Sequence, residues 1–204
     1  GVAIRDTKTH IGELWSDRPG APADKIVEHP EKYAGEHTQS KIERVRKKMV
    51  EYGANQAFFS KLDEIAWLLN IRSCDVDFTP LVTAYVLVKE REVILFANEK
   101  RMTAELKSAL QESGVSVLDY DQTSTILSKE TLGQKVLIDS SSINYAAFNG
   151  ITGEVKSAIS PIIEFKSIKN KVEIANIKDA MIRDGVALTN FFFWLENHLK
   201  ENNN

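Results

Sequence analysis

The stretch Leu62–Val88, reading LDEIAWLLNIRSCDVDFTPLVTAYVLV, does most to limit what this chain can fold into. Asp63 and Glu64 open a short helix over Asp63–Asn70, where their charges suit the positive end of the helix dipole. A polar loop, Arg72–Pro80, follows. Pro80 holds Thr79 in an extended conformation and so introduces an apolar strand over Val82–Val88. A helix and a strand joined this closely share one core.

The same alternation runs through the chain. A helix over Thr38–Tyr52 has Thr38 as its N-cap, Ile42, Val45 and Met49 on one stripe, basic residues opposite and Gly53 as its stop. Ala57-Phe58-Phe59 is a short buried strand within Asn55–Ser60. The polar turn Lys89–Glu92 makes Val82–Val88 and Val93–Ala97 a hairpin. A helix over Thr103–Ser113 turns Leu106, Ala109 and Leu110 inward and stops at Gly114. Strands are predicted at Val115–Leu118 and Lys135–Ile138, a short helix around Thr123–Leu127, a turn at Asn144–Phe148 and an edge strand within Ile151–Ser157. The fold class is therefore α/β, a mixed sheet of about six strands with helices on both faces.

Residues 1–36 carry Pro19, Pro22 and Pro30 with Gly12, Gly20 and Gly35 and show no sustained periodicity. They read as an extended connector with a short helix near His10–Trp15, anchored to the core by Trp15 and Tyr33. The other end is unlike it. From Asn170 to Lys200 no proline interrupts a helical pattern of Ile174, Ile177, Met181, Leu188, Phe192, Leu195 and Leu199, and Asn170 with Glu173 forms a capping box. Such a helix extends roughly 45 Å, more than a domain of this size needs for its own core. Phe191-Phe192-Phe193-Trp194 puts aromatics on nearly every side, so a second face should seek a partner. Gly1 at the start and Asn202–Asn204 at the end lead to the expectation that this is a piece of a longer chain.

Net charge is −3 with 43% hydrophobic and 27% charged residues and one cysteine. That balance argues against a nucleic-acid surface or a membrane anchor, and a lone Cys74 fits a reducing, cytoplasmic setting. His10, His29, His37 and His198 show no ligand spacing and no HExxH occurs. Asp139-Ser140-Ser141-Ser142 offers hydroxyls beside a carboxylate without a nucleophile elbow, and Cys74 lies near Arg72. A hydrolase built on Cys74 or Ser140–Ser142 would have to turn over without metal. The charges of most interest are Asp63, Arg72 and Asp75. They either pin the loop to the helix, with Asp63 as a cap and Arg72 gripping a carboxylate, or face a neighbouring domain and its cleft.

Several phrases, in order, resemble the three-domain aminopeptidases P, of the creatinase/prolidase "pita-bread" metallopeptidase family. Leu14-Trp15, Arg18-Pro19, His29-Pro30, Tyr33-Ala34-Gly35-Glu36 and Lys41-Ile42 are similar to that family's entry into its middle domain. Asp63–Asn70 followed by Arg72, Asp75, Phe78 and Pro80 is its most characteristic phrase. This chain departs from it at Ser73 and Cys74, and the loss of a usual glycine at Ser73 questions a positive-φ turn there. Asp139 with Asn144-Tyr145-Ala146, Ser160-Pro161-Ile162, Lys169-Asn170 with Glu173, Ile182–Leu188 and Phe192 with Trp194-Leu195-Glu196 also match. Met181 stands where a histidine is usual, a packing change on the apolar stripe.

The resemblance implies a connector over 1–36, a creatinase-N-terminal-like middle domain over 37–166, and the first helix of a catalytic domain over 167–204. It implies a full-length Xaa-Pro aminopeptidase that hydrolyses peptides with proline at the second position. There, a pair of divalent metals, expected to be manganese, would be held by two aspartates, a histidine and two glutamates. Those ligands would lie beyond Asn204, so this stretch would carry no catalytic or metal-binding residue and bind no cofactor itself. Its partners would be its own N-terminal and catalytic domains, in a cytoplasmic homo-oligomer without nucleic acid or membrane. The competing reading is an interaction or dimerisation module of a pseudo-peptidase that has lost its metal ligands.

Overall fold

A computed structural model describes residues 14–202. Its centre is a six-stranded sheet in the order β6-β5-β4-β2-β7-β8. The strands are β2 (Gln56–Phe59), β4 (Tyr85–Lys89), β5 (Val93–Phe96), β6 (Val115–Leu118), β7 (Lys135–Ile138) and β8 (Glu154–Ser157). β4 runs antiparallel to both β2 and β5, and the remaining pairings are parallel. The polar turn after Lys89 therefore does make a hairpin, and β8 lies at the sheet's edge.

Period-two alternation sorts the strand residues between two cores. Ala57, Phe59, Val86, Val88, Val93, Leu95 and Leu137 face one side. Phe58, Leu87, Ile94, Phe96, Val136 and Ile138 face the other. The first face is covered by α2 (Thr38–Glu51), α3 (Leu62–Leu68), α4 (Ala104–Glu112) and α7 (Pro161–Ser167), through Ile42, Val45, Met49, Ile65, Leu68, Leu106, Leu110 and Ile162. The second is covered by α5 (Thr123–Glu130) and α6 (Tyr145–Gly150), through Leu127 and Ala147. Each Val, Leu, Ile, Phe or Met side chain taken fully out of water contributes about 1.5–3 kcal/mol.

Local signals explain most element ends. Thr103 and Asn144 accept backbone N–H groups at the starts of α4 and α6, and Gly53 and Gly114 take positive φ where α2 and α4 stop. Thr38 is not the cap of α2 but its first helical residue; His37 holds the cap position without a side-chain bond. The short β1 (Val27–Glu28) pairs antiparallel with β3 (Ile71–Arg72) in a second, two-stranded sheet.

The connector is anchored differently from expectation. Trp15 and Tyr33 remain 49% and 44% exposed, whereas Ile26 is fully buried. Ile26 N–H also donates to Arg101 O at 2.9 Å. A β-branched side chain backed by strand pairing thus supplies the hold assigned to the aromatics. The helix expected near His10–Trp15 falls largely outside the described residues. Helix α1 (Glu31–Ala34) follows Pro30, and α8 (Lys171–Asn202) closes the chain as a single run of 32 residues.

Candidate functional site

α8 leaves the α/β domain at Asn170. The Asn170 Oδ1 accepts from the N–H groups of Val172 and Glu173, both at 2.9 Å. Glu173 Oε2 in turn accepts from Asn170 N–H at 2.8 Å, which completes the capping box. The same asparagine also reaches outward: its Nδ2 donates to Ala34 O, the last residue of α1, at 2.8 Å. Six residues on, Asn176 Nδ2 donates to Lys32 O at 3.1 Å.

Behind this contact lies a buried cation on α2. Lys41 is 1% exposed. Its Nζ donates to Trp67 O at 2.9 Å and to Asn70 Oδ1 at 2.7 Å, and sits 4.2 Å from the centre of the Trp67 ring. Burial lowers its pKa to about 8; Glu36 and Glu173 push it back up, while Arg72 and Arg44 add to the lowering. Asn70 holds φ +52, a left-handed position that asparagine tolerates better than most side chains. It accepts at its carbonyl from His29 N–H at 2.7 Å and donates through Nδ2 to Glu36 O at 2.9 Å. One residue therefore ties the connector, the entry to α2 and the exit of α3 together.

A groove of about 580 Å³ opens between this cluster and the first turns of α8, lined by His29, Tyr33, Trp67, Lys166, Glu173 and Ile177 among others. His29 stacks on Tyr33 at 5.9 Å. Burial lowers the His29 pKa, Arg72 and Lys41 lower it further, and Glu173 opposes them. Arg44 stands 4.1 Å over the Phe165 ring and pairs with Glu36 at 2.7 Å. These groups clamp a helix. They do not set a nucleophile against a base.

The three expected site residues have separate settings. Asp63 lines the groove and pairs with Lys166 of α7. Arg72 Nη1 donates to the carbonyls of Ala66 at 2.6 Å and Ile71 at 2.8 Å, so it grips the end of α3 through backbone rather than through a carboxylate. The Asp75 side chain is fully buried against Arg101 and also accepts from Ser73 Oγ at 2.6 Å and Thr83 N–H at 2.7 Å. Burial alone would raise the Asp75 pKa; the Arg101, Ser73 and Thr83 hydrogen bonds outweigh it and hold it below the usual carboxylate range.

Ser73 does not need positive φ: among the described non-glycine residues only Asn70 and Phe78 take it. A hydroxyl stands there instead, bonded to Asp75 and to Arg101 Nη2. Cys74 is exposed while Arg72 turns to backbone. The serines after β7 are engaged with Asp139 or Ser157.

Lys41, Asn70 and Arg101 were missed as parts of this framework. Lys41 lies four residues before Val45 and eight before Met49, which places it on the buried stripe. That spacing was the available signal. Arg101 had none, because its partner is 26 positions away.

The family described as Creatinase/Prolidase N-terminal domain matches residues 17–173. Aminopeptidase P1 of Lotus japonicus is 30% identical over 97% of this chain and 36% of its own length. Xaa-Pro aminopeptidase 1 of Dictyostelium discoideum is 35% identical over 90% of this chain and 29% of its own. A solved X-prolyl aminopeptidase of Caenorhabditis elegans, a cytosolic enzyme with a di-nuclear active site, superposes with a TM-score of 0.83 at 27% identity. That superposition covers 92% of this chain and 32% of the enzyme's. The chain thus spans about a third of the length of the curated relatives it matches.

Proposed function

Because the chain belongs to the Creatinase/Prolidase N-terminal domain family, we propose that it is the non-catalytic middle portion of a metal-dependent Xaa-Pro aminopeptidase. In this reading residues 1–36 connect from a preceding domain, 37–166 form the middle domain, and 167–204 begin the catalytic domain. The full-length enzyme would remove the N-terminal residue of peptides with proline at the second position, in the cytoplasm, as a homo-oligomer. The observation that carries the reading is α8. Phe191, Phe192, Phe193 and Trp194 are all about half exposed or more, together with Met181, Ile182, Val186 and Leu188. A helix with a stretch apolar on all sides, as Phe191–Leu195 is here, is built to be surrounded along that stretch.

The two divalent ions of such an enzyme, manganese in our reading, do not fit the donor groups of the described residues. Among the described residues no three His, Cys, Asp or Glu side chains come together as a metal site. Asp63, Asp75 and Asp139 are each paired with Lys166, Arg101 and Lys61. We therefore route no catalytic step through these residues and assign the ions to another part of the enzyme. The role left to this portion is to hold its neighbours in place and shape the approach of peptide substrates. No helix among the described residues is long and apolar enough to cross a membrane.

Metal analysis and a peptidase assay on the purified chain test this. We expect no stoichiometric manganese or zinc and no cleavage of a Xaa-Pro peptide. A tightly held pair of ions, or turnover by these residues alone, would overturn it.

A further inference from the structure

We infer that Asn170 and Gly35 form a fixed joint that sets the angle at which α8 leaves the α/β domain. This concerns the chain's own geometry and does not rest on the peptidase reading. Asn170 serves two helix ends with one side chain. Its oxygen takes the first free N–H groups of α8 and its nitrogen gives a hydrogen bond to the last carbonyl of α1. Both are groups that a helix leaves unsatisfied at its ends. Rotating α8 about this point would have to break one set of bonds or the other.

Gly35 closes the joint from the opposite side. It takes φ +66 as the C-cap of α1, with its N–H donating to Glu31 O at 2.7 Å. A Cβ built on it would lie 2.4 Å from Asn170 Oδ1 and 2.8 Å from both Cγ and Nδ2. Backbone and amide therefore touch, and a methyl group on Gly35 would displace the Asn170 amide from the position that serves both helix ends.

The joint is also grounded in the core. Glu36, the next residue, has its carbonyl held by Asn70 Nδ2, and Asn70 Oδ1 is held by the buried Lys41. A path of direct hydrogen bonds, joined by the short backbone stretch Ala34–Glu36, thus runs from the interior of the domain to the first turn of α8. Asn176 adds a second tether to α1 one and a half turns later. Beyond it the helix is exposed, so its direction is decided at this end.

Distance measurement between two nitroxide labels in the full chain tests the joint. Cys74 is exposed and native, and Lys178→Cys on the exposed side of α8 supplies the second position. The labelled parent should give one narrow distance peak. Asn170→Asp keeps the oxygen acceptors for α8 but sets an oxygen against Ala34 O. It should preserve the helical circular dichroism and lose the narrow peak. Gly35→Ala should lose it as well. Gly53→Ala is the control: it has φ +65 with nothing within 4 Å of an added Cβ, so it carries the backbone strain without the contact and should keep the peak.

A broad peak in the parent would overturn the inference. So would a parental peak in both Asn170→Asp and Gly35→Ala, or loss of the peak in Gly53→Ala. If Gly35→Ala fails to unfold cooperatively, Asn170→Asp alone decides.

Discussion

Phenylalanines meet opposite fates in the two parts of this molecule. In the sheet, Phe58, Phe59 and Phe96 are 3%, 4% and 0% exposed; on α8, Phe191, Phe192 and Phe193 are 48%, 54% and 70% exposed. Residue type is constant, so the difference lies in what surrounds each backbone. The sheet phenylalanines lie in central strands whose two faces are both covered by helices. α8 has α1 beside its first two turns and solvent around the rest. Polar groups follow the same contrast. The domain buries Lys41, Arg101 and Asp75 because each finds partners, whereas the charges of α8 lie on its surface. Burial within one chain marks where its own core ends, and apolar exposure marks where another is required.

Substitutions can sharpen or break that contrast. The largest effect is expected at the Asp75–Arg101 pair. Arg101→Met leaves a carboxylate buried without its cation and should cost about 3–5 kcal/mol, read as a lower urea midpoint. A loss under about 1 kcal/mol would mean water already reaches the pair.

Next comes Lys41→Met. At pH 7 it should cost about 1–3 kcal/mol through the orphaned acceptors Asn70 Oδ1 and Trp67 O. Its pH dependence is more telling. The folded-state pKa of Lys41, about 8, lies below the ordinary lysine value of 10.5, so between them the unfolded chain binds more protons. Stability owed to Lys41 therefore rises with pH across that window, by up to roughly 3 kcal/mol. The gap between parent and Lys41→Met should widen from pH 8 to 10.5. A constant gap would show that Lys41 titrates normally. Taking the difference between the two proteins cancels groups such as Lys61 and Lys89, whose pKa values are raised.

The smallest effect is expected on α8. Phe193→Ser combined with Trp194→Ser should change the unfolding free energy by less than about 0.5 kcal/mol, as for exposed sites. A core-like loss of several kcal/mol would show that these rings pack within this chain after all.

Periodicity and turn chemistry made much of the architecture legible. The alternation in Phe58-Phe59, Val86–Val88 and Val93–Phe96, the glycine stops at Gly53 and Gly114, and the Asn170–Glu173 capping box are local signals, and each strand pairing follows from burying two faces. The exposed character of α8 was readable for the same reason, since aromatics at four successive positions cannot share one face. What escaped is non-local or too short to be periodic. β1 and β3 are two residues each and exist only through one another. Asp75 and Arg101 meet across 26 residues, and Asn70 acts through its backbone angle. Lys41 lies on the buried stripe of α2 although its charge alone suggests the exposed face. A lysine on a buried stripe is unusual, and only the acceptors from α3 and its exit explain it.

We propose that the sheet domain completes its core without α8, since neither core includes a residue of that helix. Denaturant unfolding of a chain ended after Lys169, compared with the parent, tests it directly. The account predicts one cooperative transition with the same slope and a midpoint shifted only by the loss of the Asn170 and Asn176 tethers. A non-cooperative transition in the shortened chain would show that α8 belongs to this core and would contradict the account.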